Sequence, residues 1–555
     1  MPRRIVLIGA TGFFGQRLAR RLAQIDGTEL VLTSRDKARA QSLADEIGGG
    51  GRIASIAFER SDATDIAALA PWLVIDASGP FQMAGYDLAG RAIAAGAHWI
   101  DLADARDYLL GFSDGLDSRA RAAGVVARAG ASSTPALSSA VVEDLTRGWR
   151  RIDSIDIAIL PGGKGEVGLS VIRAILSYVG RPIATLAEGR PQTVIGWGEA
   201  RRIAVDGLAT RYVSPVETAD AALMPERFGV TSRVSFGAGL ESRFEQFGIL
   251  LLAHLRRCGL ISNLEPLAPM LARARGLTRP FASDRGGMIV TCTGLDGDCH
   301  WTSARWILQA SPGQGPDVPI LPAVALTRAL LRGDEKSGAA VASLALAAIE
   351  AEMSAPSLTT SRLVRVTTKP SLIEAACGGG YGDLPSALRA FHAQNAPPVW
   401  HGKADIDASR SLTGRLLRWV FGFPPTGLDV DVTVSVDREE GAETWTRNFG
   451  GRRFSSRLTH EGGNIVSERF GAINVLLGLE ARGGEIAMPV VGWRIGAIRL
   501  PLVLAPKSET RESAGDDGRF HFDVAITLPM IGRLAHYRGW LEPKTIAATE
   551  LAASG

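Results

Sequence analysis

The chain has 555 residues, 46% of them apolar and 21% charged, and its 61 basic and 58 acidic side chains give a formal net charge of +3. That length exceeds one core and implies about three or four units at ~150 residues each. The even balance gives no basic footprint for nucleic acid, no apolar run reaches the roughly 18 residues of a spanning helix, and four scattered cysteines fit a reducing cytoplasm better than a disulfide framework.

The chain opens directly into a strand, with no signal-peptide pattern. Ile5, Val6, Leu7 and Ile8 read as a buried parallel strand, and Leu18 and Leu22 recur at helical spacing. Between them lies Gly9-Ala10-Thr11-Gly12-Phe13-Phe14-Gly15, a GxxGxxG variant of the dinucleotide fingerprint. Glycines there allow a tight turn, close approach of backbone to a pyrophosphate, and close packing of helix on strand. The positive end of the helix then faces the phosphates.

Residues 30–33 read as a second strand, ending in Ser34-Arg35-Asp36-Lys37. A hydroxyl with two cations suits a ribose 2′-phosphate, so NADP is favoured, while Asp36 keeps NAD open. Asp62, after a third strand at 53–58, either caps a helix or reaches the adenine. A fourth strand runs into Ala77-Ser78-Gly79-Pro80, a small-residue turn expected beside the ribose and pyrophosphate. Strands at 98–102 and 124–130 follow alanine-rich helices, and the alternation implies a doubly wound parallel sheet of Rossmann type.

Three stretches in order, the 9–15 loop, the VIDASGPF turn at 74–81 and the strand His98-Trp99-Ile100-Asp101-Leu102-Ala103-Asp104, resemble the NADP-binding domain of saccharopine dehydrogenase-like oxidoreductases. In that family the turn reads as an aGPf motif, matched by Ala77, Gly79, Pro80 and Phe81. Trp99 stands where tyrosine is commoner, and Asp104 where glycine is. The resemblance implies an α+β second domain with a late helix returning to the first, a homodimer through that domain, and carbon–nitrogen chemistry on an amino-acid-like substrate.

The resulting division is a Rossmann domain over 1–132, an α+β substrate and dimerisation domain over 133–335, a connecting segment over 336–382 with a helix near 339–353, and a β-rich domain over 383–545. In the second domain a strand at 155–159 leads into a glycine-rich loop and a helix from Val167. Cys292, Cys299 and His300 flank a turn at 295–298, so a hairpin explains them better than a metal. Beyond Asp383, short alternating segments imply a curved antiparallel sheet or barrel, with Trp445, Arg447 and Phe449 on one face. The stretches TWTRNFGGRRFSSRL and LPMIGRLAHYRGWLEP resemble a domain of unknown function often attached to this family. A packed interior is the simpler expectation for it, an apolar ligand site the alternative, with Arg447 or Arg469 as the groups to hold an acid.

None of the six tyrosines is followed by lysine four residues on, which disfavours a short-chain reductase. The candidates for the proton relay are Asp101 and Asp104 at the carboxyl end of their strand, and His98 just upstream. The function expected is an NADP(H)-dependent oxidoreductase acting on a C=N, C=O or activated C=C bond of a small molecule, amino-acid-like or lipid-like. The alternative is a non-enzymatic NADP-binding scaffold or redox sensor whose β-rich end binds a ligand.

Overall fold

The computed structural model describes residues 2–48, 51–60, 66–165, 169–205, 208–353, 357–367, 370–409, 418, 423–439, 441–496, 498–529 and 532–544. Asp62 and Val167, both singled out above, lie outside the described residues.

The first layer is a parallel sheet. Its first strands, β1 (Arg3–Ile8), β2 (Thr28–Ser34), β3 (Ile53–Ala57), β4 (Leu73–Asp76), β5 (His98–Asp101) and β6 (Val126–Ala129), lie in the order 3-2-1-4-5-6. Helices α1 (Phe13–Leu22), α2 (Lys37–Ile47), α3 (Asp87–Ala94) and α4 (Arg106–Ala122) are the crossovers. Ile5, Val6 and Leu7 are all buried, as expected of a strand covered on both faces. The order reverses between β1 and β4, so the crevice at their carboxyl ends is the expected ligand position.

A seventh strand, Gly338–Val341, extends this sheet beside β6. The helix expected over 339–353 is therefore confined to Leu346–Glu350. Alanine favours a helix locally, but tertiary pairing prevails here. The Gly338 amide donates to Val125 O and that of Ala342 to Ala129 O, while Arg128 grips Glu335 at 2.8 Å and donates to Gly338 O. Gly338 sits at φ +127°, and a Cβ on it would lie 2.6 Å from Asp117 Oδ1.

The second layer is a mixed sheet built on Arg151–Leu160, which pairs parallel with Arg233–Ala238 and antiparallel with Gly286–Leu295. The expected hairpin is present: Gly286–Leu295 pairs with Trp301–Ala310 in register, and Leu358–Thr367 from the connecting segment adds to its outer side. The helix Leu321–Arg332 returns to the first layer, where Arg17 of α1 meets Asp317 at 3.2 Å and Arg3 donates to Leu331 O. One apolar core runs from α1 through this helix to the second sheet.

The third unit is an antiparallel 13-stranded sheet. Val432, Val434 and Val436 point inward from Gly427–Glu439, and Trp445 and Phe449 from Ala442–Phe449. A long hairpin bends the sheet back on itself. Its base, Ile473–Gly478, pairs with Ile465–Phe470, while its tip, Glu485–Ala487, pairs with Lys507–Ala514 at the other end of the ladder. This unit docks on the second layer through Arg233, which joins Asp156 at 2.7 Å to Asp437 at 3.0 Å, and through Arg453 and Glu188 at 3.0 Å.

One buried carboxyl makes the assembly sensitive to pH. Asp220 is fully buried, accepts from the Ser138 and Thr218 hydroxyls, and is pushed up to about 7 by desolvation. Its folded pKa is above its unfolded one, so the folded state holds the proton more tightly and stability falls as pH rises from about 4 through 7. The ionisation costs roughly 4 kcal/mol by pH 8. Asp220→Asn, which keeps an acceptor for Ser138, is expected to raise the unfolding temperature at pH 8 and to lose that advantage at pH 5. Calorimetric melts at the two pH values check this.

Candidate functional site

The 9–15 loop is shaped by three close approaches. Gly9 adopts φ +73°, and a Cβ there would lie 2.8 Å from Ser78 Cα. A Cβ on Gly15 would lie 2.1 Å from Gly9 O, and one on Gly12 3.1 Å from the same oxygen. Only glycine lets the helix start so close to the strand. Gly12 caps α1 without a side-chain bond, and the first turn holds no acidic residue, so the helix's amino end is open to an anion. Ala10 is pinned to β2 by its amide donating to Thr33 O, and the Thr11 hydroxyl meets Ser34 Oγ at 2.9 Å. Phe13 and Phe14 pack edge to face, with the Arg17 guanidinium over Phe13.

Ser34, Arg35 and Lys37 stand together where β2 gives way to α2. The Arg35 side chain is 82% exposed and only 3.9 Å from Glu59, which leaves its guanidinium accessible. Asp36 accepts from the Ala38 amide at 2.9 Å and so caps α2. Its carboxylate is occupied in the role that a ribose-binding acid would otherwise compete for.

The 77–80 turn faces the loop across the β1/β4 crevice. It is held by Asp76, whose Oδ1 accepts from the Ser78 amide at 2.9 Å and hydroxyl at 2.5 Å. Burial raises the Asp76 carboxyl, opposed by Arg60 at 3.1 Å. Phe81 is buried behind the turn beneath Arg60.

The proton-relay expectation needs correction at two of its three residues. Asp101 is fully buried, and its carboxylate accepts from Trp99 Nε1, the Tyr108 hydroxyl, and the Ala103 and Gly130 amides at 2.8–3.0 Å. Desolvation pushes it up to about 6. With four donors satisfied, it is a brace for the turns after β5 and β6, with no free face toward a substrate. His98 begins β5, at the sheet edge opposite the crevice. Its Nδ1 accepts from the Val126 amide, its ring packs on Trp72, and burial with the nearby Arg3 lowers its pKa. Neither residue is placed to serve a nicotinamide.

Asp104 is placed differently. It is exposed on the loop that Asp101 braces, flanked closely enough by protein that desolvation raises its carboxyl. Across from it stands the second layer, where Tyr178 ends the helix Leu169–Tyr178. Burial raises the Tyr178 hydroxyl, and the Asp104 and Glu217 carboxylates raise it further, against a lowering by the Trp197 indole. Trp197 is itself buried at φ +58°, and its Nε1 makes no hydrogen bond of good geometry. Desolvation raises Glu217 as well, opposed by Arg106 at the start of α4 and reinforced by Asp107. The Arg106 Nε is buried without a partner. Sequence reading missed Arg106, Tyr178, Trp197 and Glu217 because three of them come from the second layer, 70 or more positions from the loop they face. Tyr178 carried no lysine signature to mark it.

Among the described residues no helix is long and apolar enough to cross a membrane. Cys258, Cys292, Cys299 and Cys377 are all free thiols.

Residues 5–128 match the family described as the saccharopine dehydrogenase NADP binding domain, and residues 384–541 match a domain of unknown function. No curated protein matches the chain. Among solved structures the chain is similar to apo saccharopine dehydrogenase (L-Glu forming) from Saccharomyces cerevisiae, at 14% identity over 65% of this chain and 100% of that one, with a TM-score of 0.48. It is similar also to the DAP dehydrogenase of C. glutamicum in complex with DAP, at 15% identity over 61% and 92% of the two chains and a TM-score of 0.35. An engineered D-amino acid dehydrogenase bound to NADP+ gives 15%, 62%, 94% and 0.35 in the same terms. The amino-terminal unit thus matches the saccharopine dehydrogenase NADP binding domain family over residues 5–128, and the carboxy-terminal unit matches a domain of unknown function over residues 384–541.

Proposed function

We propose that the protein is an NADP(H)-dependent oxidoreductase acting on a carbon–nitrogen or carbonyl bond of a small amino-acid-like substrate, held between the first and second layers. One observation carries this reading. The uncapped amino end of α1 follows β1 at the carboxyl ends of the parallel strands, as the Asp104 loop follows β5, and the charges of Asp104 and Glu217 both act on Tyr178 of the second layer, with Arg106 acting on Glu217.

The glycine cradle and the open helix terminus fit a pyrophosphate, and Ser34, Arg35 and Lys37 fit a 2′-phosphate, with Asp36 committed to its cap. A nicotinamide dinucleotide bound there supplies or accepts the hydride. The chain's own groups do the rest. The carboxyls of Asp104 and Glu217, raised by desolvation, hold a proton more tightly than free carboxyls and are the groups to pass one to or from a nitrogen or oxygen. Tyr178 stays protonated beside them and is a hydrogen-bond donor to the reacting group. Arg106, with an unpartnered buried nitrogen, is the group for a substrate carboxylate. An amine flanked by two carboxyls, together with a carboxylate facing an arginine, describes an amino acid better than a lipid.

Three outcomes are expected. Gly15→Ala should weaken NADPH by roughly a hundredfold or more, since its Cβ would overlap the Gly9 carbonyl; calorimetric titration measures this, and unchanged affinity would remove the proposed cradle. Arg35→Ala should weaken NADPH about tenfold to a hundredfold while leaving NADH nearly unaffected, and equal loss of both would abolish the NADP preference. Asp104→Asn should lower kcat by about a hundredfold or more with NADPH affinity intact. The assay is NADPH oxidation against paired amines and 2-oxo acids, and tight cofactor binding with no turnover across that panel would favour a sensor instead.

A further inference from the structure

The carboxy-terminal unit contains something neither the oxidoreductase reading nor its family assignment accounts for. The sheet that the 473–495 hairpin bends back on itself encloses a cavity of about 340 Å³. The inward side chains of the closed ladder leave this space unfilled. The volume falls within the roughly 300–1,000 Å³ of small-molecule sites. Its walls are aliphatic and aromatic, among them Val434, Val475, Leu477, Phe522 and Val524.

The charged groups in this interior are held in closed sets. Arg447 donates to Ser456 Oγ at 2.8 Å and to Glu468 Oε1 at 3.2 Å, and Ser456 donates to the same carboxylate at 2.6 Å. Glu512 also lines the cavity and meets His392 Nε2 at 2.7 Å. An anionic head would have to separate Arg447 from Glu468 and leave a carboxylate unpaired in an apolar wall, which is strongly unfavourable. A hydroxyl or carbonyl head can exchange hydrogen bonds with Arg447, Ser456 or Glu468 and leave every charge matched.

The cavity also has an apolar threshold. Trp493, Leu504 and Pro506 line it, and immediately outside them Ile498 is 68% and Val503 78% exposed. Exposed apolar side chains clustered at a cavity mouth suit a ligand that crosses them chain first.

We propose that the carboxy-terminal barrel binds one neutral single-chain amphiphile, with its aliphatic chain in the cavity and its hydroxyl or carbonyl head at the Arg447–Ser456–Glu468 cluster. The site is separate from the nucleotide crevice and does not depend on the oxidoreductase reading.

The test uses the full-length chain and the fluorophore N-phenyl-1-naphthylamine. One equivalent of probe is expected to bind with blue-shifted emission, and dodecan-1-ol to displace it roughly tenfold more effectively than dodecanoate at neutral pH. Val475→Trp and Val524→Trp, which fill the cavity from two different strands, should each weaken the probe by about tenfold or more, with unfolding temperature reported alongside. Leu260→Asp, at an exposed apolar side chain of the second unit far from the cavity lining, should leave affinity nearly unchanged. Absence of probe binding by the native chain overturns the proposal. So does retention of binding in both tryptophan variants, which is adsorption to the surface. Displacement by dodecanoate as effective as by the alcohol overturns the head assignment. If both tryptophan variants unfold, native mass spectrometry of the wild-type chain with dodecan-1-ol decides, and failure to form a one-to-one adduct counts against the site.

Discussion

The structure depends on how closely three backbone segments meet at the β1/β4 crevice. Gly9 lies against the Cα of Ser78, and Gly15 against the carbonyl of Gly9, each closer than any side chain allows. This contact sets α1 down on β1 with its amino end open, and it puts the turn after β4 at the rim of the same opening. Two buried acids maintain the rim. Asp76 and Asp101 end adjacent strands, and each spends its carboxylate on the turn that follows it. A carboxylate is an effective tie here because one side chain can accept several amide donors at once. The cost is burial of a charge, visible as the raised pKa of both.

The same logic explains which parts of the site were legible in the sequence. The glycine loop, the serine and two cations after β2, and the small-residue turn each lie within a few residues of sequence, so their spacing alone suggested them. Asp101 was misread for a physical reason. Its position at the carboxyl end of a strand is common to relays and to braces, and only the partners distinguish them. Trp99, Tyr108 and Gly130, which make it a brace, come from three elements. His98 was misread because its strand is short, so a residue near the crevice in sequence lies at the far edge in space. The second-layer residues Tyr178, Trp197 and Glu217 were illegible, since no local pattern says which helix will end near the 103–107 loop.

At the level of fold, alternation worked where tertiary pairing agreed with it. The valines of Gly427–Glu439 and the 442–449 segment face inward as their period of two requires. It failed at 338–341, where alanines favour a helix but an unpaired sheet edge offered hydrogen bonds to Val125 and Ala129. That strand matters for architecture, because it returns the chain to the first sheet between two strands of the second, Trp301–Ala310 and Leu358–Thr367. Together with Arg3, Arg17 and Arg128 it ties the far end of the second unit to the first. A cleft whose two walls belong to different units needs such ties if Asp104 and Tyr178 are to keep their separation.

The carboxy-terminal barrel follows the opposite rule. The amino-terminal crevice is built from backbone that nothing can fill, whereas the barrel interior is lined by side chains that leave a space unfilled. Larger residues at Val434, Val475 or Val524 would close it, and apolar burial would favour them. The retained void is therefore a standing loss of packing, and so is the paired Arg447 and Glu468 in its wall, since an ion pair in an apolar interior gains little over a hydrophobic replacement. Two unfavourable features at one place make sense together if something else completes the interior. An aliphatic chain restores the missing contacts, and an uncharged head gains hydrogen bonds from a pair already neutral. The barrel and the crevice are thus two sites with opposite chemistry, an anion cradle of amides and an apolar chamber with balanced charge, joined through Arg233, Asp156 and Asp437 on the sheet between them.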